Sequence, residues 1–131
     1  MATSEHFSAQ EVMCHGASQG HCHCGVETAD NVSPRLLELL EQLRANIGGP
    51  IELSCAYRCP AHNAATPGSA SNSQHIYGTA ADIQTPNYPH CCTPEQLLWY
   101  CEQLPFDGLG LYDWGVHVDV RNGGIDSKIY F

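Results

Sequence analysis

Basic side chains are scarce. The 131 residues carry five Lys and Arg against fourteen Asp and Glu, a formal net charge of −9. Phosphate binding draws on clustered Lys and Arg, so this balance argues against a nucleic-acid partner. Long apolar runs are also missing, and none approaches the ~20 residues needed to span a bilayer. The first residues, MATSEHFSAQEV, have neither the basic start nor the apolar segment of a secretory signal. Internal repeats, linkers, a Gly-rich phosphate loop, a nucleophile elbow and a catalytic Cys-His set are likewise not evident. The length fits one domain, 1–131, with one core.

Metal-binding chemistry, by contrast, is well supplied. The stretch Ser71–Ile83, SNSQHIYGTAADI, sets the imidazole of His75 seven residues before the carboxylate of Asp82. Gly78 and two alanines lie between them, so the backbone can turn and approach whatever those side chains hold. A third group comes in the alternating run Gly115–Arg121, GVHVDVR. There His117 and Asp119 point one way and Val116, Val118 and Val120 the other. Two histidines and an aspartate from separate segments make a ligand set for a catalytic zinc with one position left open.

The order and flanking text of these pieces carry a resemblance. The pattern SxHxxGxAxD over 73–82, followed by HxD over 117–119 and preceded by SCAYR at Ser54–Arg58, resembles the zinc D-Ala-D-Ala carboxypeptidases. It extends to related LD- and DD-peptidases of peptidoglycan, which share a fold with the Hedgehog signalling domain. The likeness runs from about His6 to Arg121. It implies one catalytic Zn2+ on His75, Asp82 and His117, and hydrolysis of peptide bonds involving D-amino acids by a zinc-activated water. It also implies that Arg58 binds substrate or stabilises the oxyanion. Ser73 is expected to line the groove or to hydrogen-bond the loop carrying His75. Tyr112, with Trp114, Tyr77 and Tyr57, is a candidate to line the substrate groove, the alternative for these aromatics being core packing. Relatives commonly place an acidic general base three residues before the last His ligand, where this chain has Trp114. Asp113, one residue further back, ranks first as base and Asp119 second. Asp119 has a second reading, as the group that orients His117.

The displaced base keeps a second hypothesis open, a zinc-containing wall- or protein-binding module without catalysis on the same fold. For the enzyme the expected partners are peptidoglycan peptides, for the module the wall or a protein, and the expected state is a monomer. The acidity supplies no steering toward an anionic wall. The missing signal leaves two settings: cytoplasmic synthesis with phage- or prophage-like release, or a mature exported form.

Eight cysteines remain to be explained. In an exported chain they read as disulfides, and in a reducing compartment as metal ligands or buried thiols. Cys14, His15, His21, Cys22, His23 and Cys24 are too crowded for core packing. Cys14, Cys22 and Cys24 are therefore read as a second, structural metal site or a local disulfide. Their C-x7-C-x-C spacing lacks paired C-x2-C knuckles. Cys55, Cys59, Cys91 or Cys92 would supply a fourth ligand or a bridge partner. Cys101, at helical spacing from Leu97 and Leu104, reads as a small core residue. His6, His62 and His90 have no motif and are read as surface or structural.

The element pattern is α+β, with helices flanking a small antiparallel sheet, as the resemblance also implies. An irregular Cys/His-rich segment over 1–31, with a helical turn at Ala9–Met13, precedes a helix at Pro34–Asn46 capped by Ser33. A strand follows at Ile51–Ala56, then a helical turn at Pro60–Ala65, loops at 66–72 and 85–92, and a strand at Thr79–Ile83. A second helix runs from Thr93 to about Leu104 with a capping box. Strands close the chain near Leu109–Tyr112, Val116–Arg121 and Lys128–Phe131, with Asn122-Gly123-Gly124 as a hairpin signal between the last two.

Overall fold

The computed structural model describes residues 4–67, 69, 73–85 and 92–131. The two loops expected at 66–72 and 85–92, with His90 and Cys91, lie wholly or partly outside the described residues.

Local rules set the helices. Helix α1, Ala9–Val12, begins with a capping box between Ser8 and Glu11. Helix α2, Pro34–Ile47, begins where the Ser33 hydroxyl accepts the Leu36 N–H, and it ends at Gly48 with φ 78°. A lone helix of this length is marginal in water. Its stability comes from Leu36, Leu37, Leu39, Leu40 and Leu43, all buried and each contributing ~1.5–3 kcal/mol. Helix α3, Pro60–Ala65, follows Cys59, whose sulfur accepts the His62 N–H. Helix α4, Pro94–Glu102, carries the Thr93–Gln96 capping box. Cys101 is buried in the core as the spacing implies. The N-terminal segment adds 3-10 turns at Gly16–Gln19 and Val26–Asn31. Among the described residues no helix is long and apolar enough to cross a membrane.

Five strands form one sheet: β1 Glu52–Cys55, β2 Ala80–Gln84, β3 Gly108–Tyr112, β4 Gly115–Asp119 and β5 Ile129–Tyr130, in the order β1-β2-β4-β3-β5. The first three pairings are antiparallel. Strand β5 departs from the expected pattern and runs parallel to β3. Asn122–Gly124 therefore does not close a β4–β5 hairpin. The cause is Asp107, whose carboxylate is wholly buried. Its Oδ2 accepts the N–H groups of Asn122 at 2.9 Å and Gly124 at 2.7 Å. Its Oδ1 accepts those of Ile125 at 3.1 Å and Ser127 at 3.0 Å. The loop wraps this carboxylate and carries the chain to the outer edge of β3.

The sheet has two unlike faces. Ala81, Ile83, Leu109, Val116 and Val118 belong to the core with the leucines of α2 and with Leu97 of α4. By strand alternation, Asp82, His117 and Asp119 lie on the opposite face.

Candidate metal centre

His75 reaches that face from a 3-10 turn, Gln74–Tyr77, just before β2. The Ser73 hydroxyl accepts the His75 N–H at 3.3 Å. Gly78 ends the turn with φ 71°, and a Cβ there would stand 1.8 Å from the Asn31 carbonyl oxygen. Only glycine satisfies both demands. The Ser33 N–H donates to the Gly78 carbonyl at 2.8 Å, and the Arg58 N–H to the His75 carbonyl at 3.1 Å. These bonds tie the turn to the head of α2 and to the segment after β1.

Asp82 and His117 meet through register, since they face each other across the β2–β4 pairing. Asp82 Oδ1 lies 3.3 Å from His75 Nε2 and 3.1 Å from His117 Nδ1. The two rings are nearly perpendicular, with centroids 5.4 Å apart. His75 Nδ1 lies 2.7 Å from the Ala56 carbonyl oxygen, which only accepts, so Nδ1 carries a proton and Nε2 faces Asp82. On the other ring, His117 Nε2 donates to Asp119 Oδ2 at 3.0 Å, leaving Nδ1 toward Asp82. Asp119 is fully buried and accepts from Arg121 Nη2 at 2.7 Å and Nε at 3.0 Å. Its carboxylate lies over Gly108, where a Cβ would be 2.1 Å from Oδ2.

The electrostatics agree with the geometry. Burial pulls the His75 imidazole down, but Asp82 and Cys55 outweigh it and push it up to about 10. Burial likewise opposes the charged His117, and Asp119 with Asp82 raises it. Burial would lift Asp82, yet the two imidazoles hold its carboxyl well below the usual carboxylate range. With His75 Nδ1 and His117 Nε2 each bonded from behind, the two remaining ring nitrogens face one carboxylate oxygen. Two imidazoles and one carboxylate are donors that zinc takes; the donors that lie within 4.8 Å of one another are those of Cys55, His75 and Asp82, with His117 adjoining Asp82.

Cys55 is the neighbour that strand alternation hides. In a regular strand Leu53 and Cys55 share one face. A register break between them sets Cys55 opposite Asp82, as a bulge does. Its sulfur lies 3.6 Å from His75 Nδ1, and the donor atoms of Cys55, His75 and Asp82 all fall within 4.8 Å of one another. Cys55 also lines a cleft of about 210 Å³ with Ser54, Arg58 and His62. Arg58 is held there by Asn63 Oδ1 at 3.0 Å and by the Ser73 hydroxyl at 3.2 Å. Ser73 thus bridges Arg58 and the His75 turn.

Tyr112 shares the face of His117. Gly110 pairs with His117, and a Cβ there would meet Tyr112 Cε2 at 3.0 Å. Trp114 stacks on Tyr112 at 5.1 Å. Tyr77 is exposed. Asp113 lies at the turn between β3 and β4. It lines a separate cleft of about 260 Å³ with Gln84, Thr85 and Cys92, and among the described residues it makes no hydrogen bond to His75, Asp82 or His117. Cys14, Cys22 and Cys24 gather elsewhere, together with Cys59. His6 pairs with Glu41 at 2.6 Å and His62 is buried, both structural placements.

Among models of protein families, the one described as Peptidase M15 matches residues 5–121. No curated protein sequence matches the chain.

Proposed function

The chain belongs to the peptidase M15 family, and from that premise we propose that it is a zinc metallopeptidase of the D-Ala-D-Ala carboxypeptidase or murein endopeptidase kind. Its substrates are peptidoglycan peptides containing D-amino acids. The observation that carries this reading is the convergence of His75 Nε2, Asp82 Oδ1 and His117 Nδ1 with both tautomers set from behind. These three atoms would hold the ion. Bound zinc supplies Lewis-acid polarisation of a carbonyl and acidification of water.

The chain's own residues do the rest. The Ala56 carbonyl and the Asp119 carboxylate keep the two rings oriented. Asp119 is committed to His117 and Arg121, so its part is positioning. Arg58, fixed by Asn63 and Ser73 in the cleft beside Cys55, presents a cation to a substrate carboxylate or to the developing oxyanion. Tyr112 and Trp114 offer a flat apolar plate for the substrate flank. Asp113 stands in a separate cleft, so no residue is assigned to move the proton from water to the leaving amine. The protein acts on the wall as a monomer.

The test is incubation of zinc-loaded protein with purified muropeptides, read by mass spectrometry. Cleavage at a D-amino-acid bond, stopped by a chelator and reduced at least ~10²-fold in His75→Ala, is the expected result. Intact muropeptides at every bond would sink the proposal.

A second reading draws on Cys55, whose sulfur gathers with the donor atoms of His75 and Asp82 within 4.8 Å, and on the placement of Asp113 in a separate cleft. It makes the domain a zinc-held binding module. Zinc content without turnover, lost in Cys55→Ala, would favour it.

A further inference from the structure

We propose that Cys14, Cys22, Cys24 and Cys59 form a second site, a four-thiolate cage for a thiophilic ion such as zinc. It is separate from His75, Asp82 and His117, and it does not depend on the peptidase reading.

All four sulfurs lie within 4.8 Å of one another. Cys14 and Cys22 are 3.8 Å apart. A tetrahedron with metal–sulfur bonds of ~2.3 Å has sulfur–sulfur edges of about 3.8 Å. All four are thiols rather than halves of disulfides, so this spacing belongs to gathered sulfurs, not to bridges. The surroundings suit thiolates. The Cys59 N–H donates to Cys14 Sγ at 3.4 Å, and the His62 N–H to Cys59 Sγ at 3.4 Å. His62 Nδ1 stands 3.6 Å from Cys14 Sγ. Such contacts orient metal ligands from outside the coordination sphere. The loop is also shaped for the cage. A Cβ on Gly16 would fall 2.7 Å from Cys22 Sγ and 2.8 Å from His62 Cβ, so the backbone passes where no side chain fits.

Four protein ligands leave no open position, so the ion is structural. Three ligands come from the N-terminal segment. The fourth adjoins Arg58, so the cage fastens that segment to the loop that carries the cleft's cation.

The experiment is elemental analysis of the full chain as purified, beside Cys22→Ser/Cys24→Ser and His75→Ala/His117→Ala. The serine pair should lose one ion equivalent, and the alanine pair should keep it. After cobalt exchange, the thiolate-to-cobalt absorption should vanish in the serine pair and survive in the alanine pair. Removing ligands from a structural site can also unfold a chain. The parent protein is therefore titrated with an organomercurial in the presence of a metal indicator as well. Release of an ion in step with modification of these thiols is expected. Unchanged metal content in a folded serine pair, ion release independent of thiol modification, or an unreduced parent mass lowered by disulfides would each overturn the cage.

Discussion

Asp119 separates two kinds of acidic residue. A general base must reach water, whereas an orienting carboxylate must be buried and saturated, and in the proposed reading Asp119, buried and bonded to His117 and Arg121, is the latter. Asp119→Asn should lower zinc affinity by ~10–100-fold, measured by competition with a chelating dye. Unchanged affinity with lost turnover would return Asp119 to the role of base. Gly108 is the other side of the same contact. Gly108→Ala places a methyl 2.1 Å from Asp119 Oδ2, and that carboxylate is pinned by His117 and Arg121. The expected cost is on the order of 1–3 kcal/mol, read from the denaturant midpoint, with weakened zinc binding alongside.

At the scale of elements, the loop 122–127 shows how one buried acid redirects a strand. Burial pushes the Asp107 carboxyl up, but the N–H groups of Ser127, Gly124 and Asn122 outweigh it and hold the group below its usual range. A folded pKa below the unfolded ~3.9 means that the stabilisation is complete above about pH 4. It is lost as pH falls through the folded value. Asp107→Asn should therefore cost about 2 kcal/mol or more at neutral pH, and should remove that part of the acid sensitivity. Urea melts at pH 7 and pH 3 measure both effects, and equal losses at the two pH values would contradict the assignment. The break in β1 is a second element-scale device, since without it Cys55 would face the core with Leu53.

For the whole molecule, the sheet divides the labour. One face packs on α2 and α4, and the other carries the proposed ligands, so metal should couple to global stability without rebuilding the core. Zinc at ~100 times its dissociation constant should stabilise the fold by about 2.7 kcal/mol. Calorimetry of the chelated and reloaded protein tests this, and a melting curve indifferent to the ion would refute it. Much of the architecture was legible in the chain. Ser33-Pro34, Thr93-Pro94 and the leucine spacing determine α2 and α4, because caps and amphipathic periods are local. The alternation in GVHVDVR determines that His117 and Asp119 share a face away from the valines, and the family pattern over 73–82 already paired His75 with Asp82. Only the tertiary structure decided the rest. Asp119 was ambiguous until Arg121 and Gly108 enclosed it. Asp113 stood near His117 in the text but lies in another cleft. Cys59 was one option among four until folding carried it to Cys14. The parallel β5 required Asp107, which sits far from the turn it organises. Local signals report what a segment of the chain prefers, whereas burial, register and the meeting of distant donors exist only once the chain has closed on itself.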